Sequence, residues 1–191
     1  LSRTLHMLIN HPEHMQRLYE ELLEAIPSED CQISHADVQD LPYLNAVLHE
    51  GLRIRSVAAG SFPRLVPPGG ADYNGYYVPE GTVSVSFIFA MHHEESVYKD
   101  ACAFQPERWL GQKEEVEELK KSLFAFSFGA RACAGRRLAW LELRTALASI
   151  VRRYNFEELP GQDMAPRNRF ALVPAGNQLL VRLHRRSQSC K

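Results

Sequence analysis

The sequence predicts a mainly α-helical fold with small β-sheets. Apolar residues recur at helical spacing in several segments, and capping residues or prolines stand at the starts of most of them. The middle of the chain instead carries short alternating segments and an Asn-Gly turn, which are typical of β-hairpins. Neither internal repeats nor a low-complexity linker occurs in the 191 residues, so we expect one structural unit.

The N-terminal segments are predicted to form helices. Residues 1–9 have helical spacing but no capping residue before them, so we expect the chain to begin inside a helix and to be a fragment. Pro12 suits the first position of a second helix over 12–25. The segment 34–37 has the form of a capping box that opens a short helix, and an apolar stripe predicts a further helix over 42–55.

The β signals begin after that helix. Strands are predicted over 62–66 and 83–87, with a two-residue turn at Asn74-Gly75 between them. Valines alternate with serines in 83–87, which predicts a half-buried strand. The charged stretch 113–121 is interpreted as a solvated surface helix or loop, and we assign it no function.

The C-terminal third is predicted to hold the longest helix, over 134–154, because its apolar residues keep helical spacing to the end. Beyond this helix, 170–173 and 178–183 flank the turn Pro174-Ala-Gly-Asn177. We interpret these two segments as a terminal β-hairpin.

Composition excludes several classes of protein. The 22 basic and 23 acidic residues leave no field that favours a nucleic acid or an anionic membrane. No apolar stretch approaches the length of a transmembrane helix, which needs about 20 residues, and no signal peptide is recognisable. The cysteines Cys31, Cys102, Cys133 and Cys190 form no CxxC pair, which argues against a zinc site or a disulfide framework and favours a reducing compartment.

The segment Phe126-Ser-Phe-Gly-Ala-Arg-Ala-Cys-Ala-Gly135 is the most informative in the chain. It places Cys133 directly before the longest helix and close to Arg131. A helix N-terminus and a guanidinium both favour the thiolate, which is the form of cysteine that binds metal ions. Gly129 permits a backbone turn that other residues resist, and Gly135 allows a flat ligand to approach. The segment therefore predicts a soft metal ligand, an arginine for anions and room for a planar cofactor.

These ten residues match the haem-loop signature FxxGxRxCxG of the cytochromes P450 at every fixed position, so the chain resembles that family. Two further motifs of the family occur upstream in the right order. Glu50-Gly-Leu-Arg53 resembles the ExxR of the K helix, and Phe104-Gln-Pro-Glu-Arg-Trp109 resembles the FxPERW of the meander. The segment 10–25 is similar to the J helix. The sequence around EGLR and GYYVPEGT most resembles that of fungal microsomal members.

The resemblance implies that Cys133 is the proximal ligand of the iron of haem b and that Arg131 binds a haem propionate. Phe126 is then expected to pack beside the haem near the thiolate, and Arg64 to be a second propionate partner. The cofactor-binding residues expected in this way are Phe126, Gly129, Arg131, Cys133, Gly135 and Arg64.

The resemblance also implies a buried structural triad of Glu50, Arg53 and Arg108, which ties the K helix to the meander and so holds the haem loop. Glu50 and Arg53 are three positions apart on a helix, so their side chains can meet. One departure from the family lies nearby: the segment 91–95 keeps only His92 where the family usually has His-Arg-Asp-Pro, which bears on local loop geometry.

Two other groups have an alternative reading. The resemblance places Val57, Ala58, Ala59, Leu172 and Val173 where family members line the substrate pocket, although simple packing explains these apolar residues as well. It places Arg136, Arg137, Lys120 and Lys121 near the face where a reductase docks, and a solvated basic patch explains them equally.

The fold implied for residues 1–191 is the C-terminal portion of a single P450 domain. It comprises the end of the I helix, the J and K helices, the β-sheets, the meander, the haem-binding loop, the L helix and the terminal β-hairpin. Family members are more than twice as long, and their additional part carries the distal helix that delivers protons to dioxygen. We therefore expect no catalytic residue here beyond the haem ligand, and no turnover by the fragment alone.

The implied activity of the parent protein is monooxygenation of a small, lipophilic organic substrate, with electrons from NADPH through NADPH-cytochrome P450 reductase. The implied location is the cytosolic face of the endoplasmic reticulum membrane. Two alternatives remain open: a P450-type isomerase or dehydratase that needs no reductase, and a truncated remnant with no catalytic role.

Overall fold

The computed structural model of the chain describes residues 1–28, 32–58, 60–169 and 171–186. Cys31, Ala59 and Cys190, and the first residue of the expected terminal hairpin, Phe170, lie outside the described residues. The helices are α1 Ser2–Asn10, α2 Pro12–Ala25, α3 His35–Val38, α4 Pro42–Ile54, α5 Ile88–His92, α6 Lys113–Lys121 and α7 Arg136–Arg153, with 3-10 turns at Pro106–Leu110 and Gly129–Arg131. The strands are β1 Ser61–Leu65, β2 Ala71–Tyr73, β3 Tyr76–Val78, β4 Val83–Phe87, β5 Tyr154–Glu158, β6 Pro166–Arg169, β7 Ala171–Pro174 and β8 Val181–Arg185.

The helix starts follow the local signals of the sequence. Proline occupies the first turn of α2 and of α4, where its missing N–H costs no hydrogen bond. At the start of α3, the backbone N–H of Ser34 donates to Asp37 Oδ2 at 2.8 Å, which completes the predicted capping box. The predicted helices, including the longest helix α7, are therefore confirmed, and the charged stretch 113–121, predicted as a helix or loop, is the helix α6.

Four helices enclose the main core. Helix α4 packs against α1, α2 and α7, and α2 also packs against α7. Leucines and valines at helical spacing fill the space between them, and several have no exposed surface: Leu8, Leu18, Leu22, Leu44, Val47, Leu147 and Val151. Burial of one such side chain contributes about 1.5–3 kcal/mol, so this core holds α4 and the second half of α7 in place.

The described residues form four two-stranded antiparallel sheets, which pair β1 with β4, β2 with β3, β5 with β8 and β6 with β7. The predicted turn at Asn74-Gly75 joins β2 to β3, and both residues have positive φ, 60° and 87°, as a type I′ turn requires. The predicted fold class, mainly helical with small sheets, is confirmed.

The predicted terminal hairpin is wrong. Strand β7 pairs with β6, and β8 pairs with β5 at the end of α7, so the two segments belong to different sheets. The turn itself exists, since the N–H of Asn177 donates to the carbonyl of Pro174 at 2.9 Å, but it leads from one sheet to the other. Strand β6, Pro-Arg-Asn-Arg, was not predicted because this segment has no alternation of apolar residues and is exposed throughout.

Strand β4 also departs from expectation. The strand is present, but the side chains predicted to be buried are largely exposed: Val83 is 57%, Val85 42% and Phe87 57% exposed. Within the described part of the chain, this apolar face is only partly covered. No helix of the described residues is long and apolar enough to cross a membrane.

Candidate functional site

The loop before α7 is closed by its own backbone. The N–H of Cys133 donates to the carbonyl of Phe126 at 2.8 Å, and the N–H of Ala132 donates to that of Gly129 at 3.0 Å. Gly129 has φ +64°, in the left-handed region expected for this glycine, and the preceding Ser127 has φ +56°. Hydrogen bonds and backbone conformation together therefore set the path of the loop that ends in Cys133.

The thiol of Cys133 is exposed, and it lies three positions before Arg136, the first residue of α7. The thiol therefore lies near the positive end of the dipole of α7. A Cβ added to Gly135 would stand 3.9 Å from the Sγ of Cys133 and would meet nothing else of the described chain within 4 Å. Glycine at this position keeps the space beside the thiol open.

Arg64 and Arg131, which are 67 positions apart, line one surface cavity of about 280 Å³. Their neighbours in that cavity are Phe62, Ser86, Ile88, Met91, Phe124, Ser127, Phe128 and Ala130. Both arginines are exposed, and none of the described residues that line the cavity with them carries a carboxylate. Two guanidinium groups without a carboxylate suit an anionic ligand, so the structure brings together the two arginines that the sequence analysis expected to bind propionates.

Exposed and half-buried apolar side chains lie on the loop that carries Cys133 and on the first turns of α7. Phe128 is exposed and meets Phe124 edge to face at 5.0 Å between ring centroids. Leu138 and Leu141, on the first turns of α7, are also exposed, unlike the second half of the same helix. Phe126 is half-buried, 6.2 Å from the ring of Trp140. A soft ligand, two arginines and an open apolar surface fit a flat metal complex with anionic edge groups.

The buried counterpart of this site centres on Glu50, whose side chain has no exposed surface. Arg53 approaches it in a two-pronged arrangement, Nε to Oε2 at 2.9 Å and Nη2 to Oε1 at 2.8 Å. Arg108 Nε donates to Oε1 at 3.0 Å. The structure thus assembles the triad of Glu50, Arg53 and Arg108 that the resemblance implied, and it joins α4 to the turn Pro106–Leu110.

Two further donors to Glu50 were missed at the level of sequence. The indole Nε1 of Trp109 donates to Oε2 at 2.9 Å, and the backbone N–H of Gln105 donates to Oε1 at 3.0 Å. A buried tryptophan needs an acceptor for its N–H, which is the signal that could have identified Trp109. Burial alone would raise the pKa of Glu50, but the hydrogen bonds and charge of Arg53, the amide of Gln105 and the charge of Arg108 outweigh it and lower the pKa.

Arg53 uses its whole guanidinium group. Besides its bonds to Glu50, Nη1 donates to the carbonyls of His92 and Ala101, both at 2.7 Å, and Nη2 donates to that of Ala103 at 3.2 Å. The ring of Tyr98 lies under the guanidinium, with its centroid 4.9 Å away. A buried charge is tolerated only with such complete pairing, so this network is rigid.

His92 was predicted only to keep a family position, yet it is fully buried. Its Nδ1 is 3.0 Å from the carbonyl of Arg53, and the backbone N–H of Phe124 donates to its Nε2 at 2.8 Å. Burial lowers the pKa of His92 to about 4, since only the neutral ring is stable there. Sequence reasoning missed these contacts because the partners are backbone groups 39 and 32 positions away.

The expected substrate contacts fall into two adjoining cavities. Val57 and Ala58 line the larger one, of about 590 Å³, with Gly60, Phe62, Pro63, Asn168 and Ala171. Leu172 and Val173 line a smaller one, of about 210 Å³, to which Val57 also contributes. The backbone N–H of Leu172 donates to the carbonyl of Val57 at 2.7 Å, so the structure brings these two segments together. Asn168, the polar side chain of the larger cavity, was not predicted.

The basic residues expected on the proximal surface are only partly free. Lys120 pairs with Glu117 at 2.8 Å, and Lys121 pairs with Glu118, so α6 neutralises much of its own charge. Burial lowers the pKa of His49 to about 4, and the positive charges of Lys120, Arg144 and Arg136 lower it further. Lys120 and Arg136 therefore lie near the same histidine, on a surface of mixed charge.

Comparison with known proteins identifies relatives along most of the chain. The family model described as Cytochrome P450 matches residues 1–181. "Cytochrome P450 monooxygenase macH" of Penicillium terrestre is 41% identical over 155 residues, 81% of this chain and 30% of the relative. "Cytochrome P450 monooxygenase ankB" of Aspergillus thermomutatus is 37% identical over 179 residues, 92% of this chain and 34% of the relative. The chain thus spans about a third of the length of these curated relatives.

A solved structure has the same fold. The cytochrome P450DA heme domain superposes with a TM-score of 0.86 and 22% sequence identity, over 97% of this chain and 40% of that one. At this identity the likeness concerns the fold, which agrees with the fold class predicted from the sequence.

Proposed function

Because the chain belongs to the cytochrome P450 family, we propose that Cys133 is the thiolate ligand of a haem b iron in a monooxygenase. The observation that carries the proposal is the exposed Cys133 thiol before α7, two positions after Arg131, which shares a surface cavity with Arg64. The haem-binding role of these residues is an inference from their motif and their geometry.

The proposed haem site uses each element in a distinct way. The bond from the Cys133 N–H to the carbonyl of Phe126 closes the loop, and the thiol lies near the positive end of the dipole of α7. Arg131 and Arg64 would each receive a propionate, and Phe126 and the open position at Gly135 would leave a flat apolar surface beside the ring. When bound, haem supplies the dioxygen chemistry, to which a cysteine ligand contributes electron density that favours O–O cleavage.

The triad of Glu50, Arg53 and Arg108 is assigned a structural role. It joins α4 to the turn Pro106–Leu110 through a carboxylate that accepts five hydrogen bonds, and it has no exposed surface on Glu50 or Arg53. A buried charge that is fully paired does not act as an acid or base near neutral pH. We therefore assign the catalytic role of this part of the protein to the haem ligand alone.

We further propose that residues 1–191 are the C-terminal portion of one P450 domain, from the end of the I helix to the last β-strands. In the full-length protein, the larger cavity would form one wall of the substrate pocket, with Val57, Ala58, Leu172 and Val173 as contacts. This wall is apolar apart from the amide of Asn168. It suits a lipophilic organic substrate with a polar group that reaches that amide.

NADPH-cytochrome P450 reductase is the proposed electron donor, docking near Arg136, Arg137, Lys120 and Lys121. The cytosolic face of the endoplasmic reticulum membrane is the proposed location, since the curated fungal relatives are monooxygenases of this family. The haem loop carries no insertion around Cys133. That observation favours a monooxygenase over a P450 relative that isomerises or dehydrates peroxides.

The experiment that tests the proposal is the reduced carbon monoxide difference spectrum of the chain reconstituted with haem. We expect the red-shifted Soret band that gives the family its name, because a thiolate ligand produces it. Cys133→Ser should lose the band, and the control Cys102→Ser, at the other exposed cysteine of the described chain, should keep it. A band that survives Cys133→Ser would refute the assignment of the ligand. Absence of the band in all three proteins would favour a remnant that does not hold haem.

A further inference from the structure

We infer that His92 is a positioning residue, which sets the haem-binding loop against the buried Glu50–Arg53 pair by a neutral imidazole with a defined tautomer. The inference rests on the proposed role of Cys133 as haem ligand. His92 itself lies outside the haem motif, at the end of α5, and its ring nitrogens contact the carbonyl of Arg53 and the N–H of Phe124.

The tautomer follows from the partners of the ring. The backbone N–H of Phe124 can only donate, so the Nε2 of His92, 2.8 Å away, must accept and carry no proton. The proton of the neutral ring is then on Nδ1, which donates to the carbonyl of Arg53 at 3.0 Å. Both ring nitrogens are therefore satisfied in this tautomer. In the other tautomer and in the charged ring, Nε2 carries a proton that would face the donor N–H of Phe124.

The ring connects two parts of the site that have no other direct hydrogen bond among the described residues. On one side, Arg53 and His92 are bonded reciprocally, since the Arg53 guanidinium also donates to the carbonyl of His92 at 2.7 Å. On the other side, Phe124 begins the loop: its carbonyl accepts from Ser127 N–H at 2.9 Å. The loop then closes through the bond from Cys133 to Phe126. The His92 ring therefore fixes the position of Phe124, the first residue of the loop that carries the thiol, relative to the rigid triad.

Two amide substitutions separate the two halves of this connection. His92→Gln places a carbonyl oxygen near the position of Nε2 and retains an acceptor for Phe124 N–H. His92→Asn places an amide N–H near the position of Nδ1, which retains the bond to Arg53 but leaves Phe124 N–H without an acceptor. A residue that only fills the core would respond equally to both variants, whereas a positioning residue responds to the loss of the Phe124 bond.

The test measures the fraction of bound haem that shows the thiolate Soret band, in the full chain reconstituted with haem. We expect His92→Gln to keep this fraction within about twofold of the parent chain and His92→Asn to lower it about tenfold, because a buried N–H is left unpaired. Far-ultraviolet circular dichroism establishes that each variant is folded, and amide hydrogen exchange at Phe124 reports the bond directly. Exchange should accelerate in His92→Asn and stay slow in His92→Gln.

Equal thiolate fractions in the two variants, with Phe124 exchange differing between them, would overturn the positioning role. Equal exchange at Phe124 in both would overturn the contact itself. A parent chain without a thiolate band, identical to Cys133→Ser, would instead show that the proposed haem ligation has failed, and this inference would fail with it. As a direct check of the tautomer, the imidazole nitrogen shifts of His92 should report an unprotonated Nε2 at neutral pH, and a protonated Nε2 would overturn the inference.

Discussion

The network around Glu50 and the loop around Cys133 both contain arginine side chains, but in opposite situations. Arg53 is buried and donates from all of its N–H groups to protein acceptors. Arg64 and Arg131, by contrast, are exposed around a cavity that no carboxylate of the described part of the chain lines. A buried guanidinium that is fully paired stabilises the fold of its own chain. Exposed guanidiniums that share a cavity are available to a ligand. The difference indicates a rigid frame, which is the buried network of Glu50, Arg53, Arg108 and His92, and a binding surface around Arg64, Arg131 and Cys133.

Among substitutions in the frame and in the binding surface, we expect the largest effect on stability and haem binding at Glu50. Glu50→Ala would leave Arg53 buried without its partner, which costs roughly 3–5 kcal/mol and should abolish haem incorporation. Urea unfolding measures the first effect, and haem content after reconstitution measures the second. Glu24→Ala, at an exposed position of α2, is the matched control and should change neither. Full haem content in Glu50→Ala would show that the frame is not needed for the binding surface.

Acid should weaken the frame through its buried histidine. The folded pKa of His92 is about 4, against 6.5 for a free histidine, so between these values the unfolded chain binds more protons. The stability that His92 contributes is therefore complete above pH 6.5 and is lost as the pH falls, by about 3 kcal/mol at pH 4.

The pH effect is measured by urea unfolding between pH 7 and pH 4. Arg53 faces the ring from α4 and His93 neighbours it in the chain. The charge of Arg53, and that of His93 when it is protonated, lower the pKa of His92 further. The pKa of Glu50 is lowered, so acid protonates this carboxylate only at a lower pH than an ordinary glutamate. His49, also with a pKa of about 4, contributes a second loss of the same sign. The His92→Gln variant should lose less stability on acidification than the parent, and an identical pH profile would contradict the titration of His92.

The smallest effect on stability is expected at the binding surface, where substitutions should change haem affinity and leave the fold intact. Arg131→Ala and Arg64→Ala should each reduce haem affinity about tenfold, because a charge-assisted bond is lost, while the free energy of unfolding changes by less than about 0.5 kcal/mol. Arg137→Ala, on the first turn of α7, is the control for general loss of positive charge. Haem titration followed by absorbance and urea unfolding provide the two values. An arginine whose loss unfolds the chain as Glu50→Ala does would belong to the frame instead.

The local elements of this fold were predictable because their signals lie within a few residues. Pro12, the capping box at Ser34 and the turn at Asn74 each act on their immediate neighbours, and the structure has a helix start or turn at every one. Strand partners were not predictable in the same way. The turn after Pro174 looks like a hairpin turn in the sequence, yet the strands on either side of it pair elsewhere.

For the candidate site, the sequence by itself determined the chemistry of the loop. The order of Arg131, Cys133 and Gly135 before an apolar helix places a thiol at a helix start, and Gly129 adopts the left-handed backbone that its lack of a side chain allows. Tertiary structure alone decided which distant groups meet. It brought Arg64 to Arg131, and His92 between Arg53 and Phe124. The physical reason is that backbone conformation and helix capping depend on adjacent residues, whereas these contacts depend on how the helices pack around their shared core.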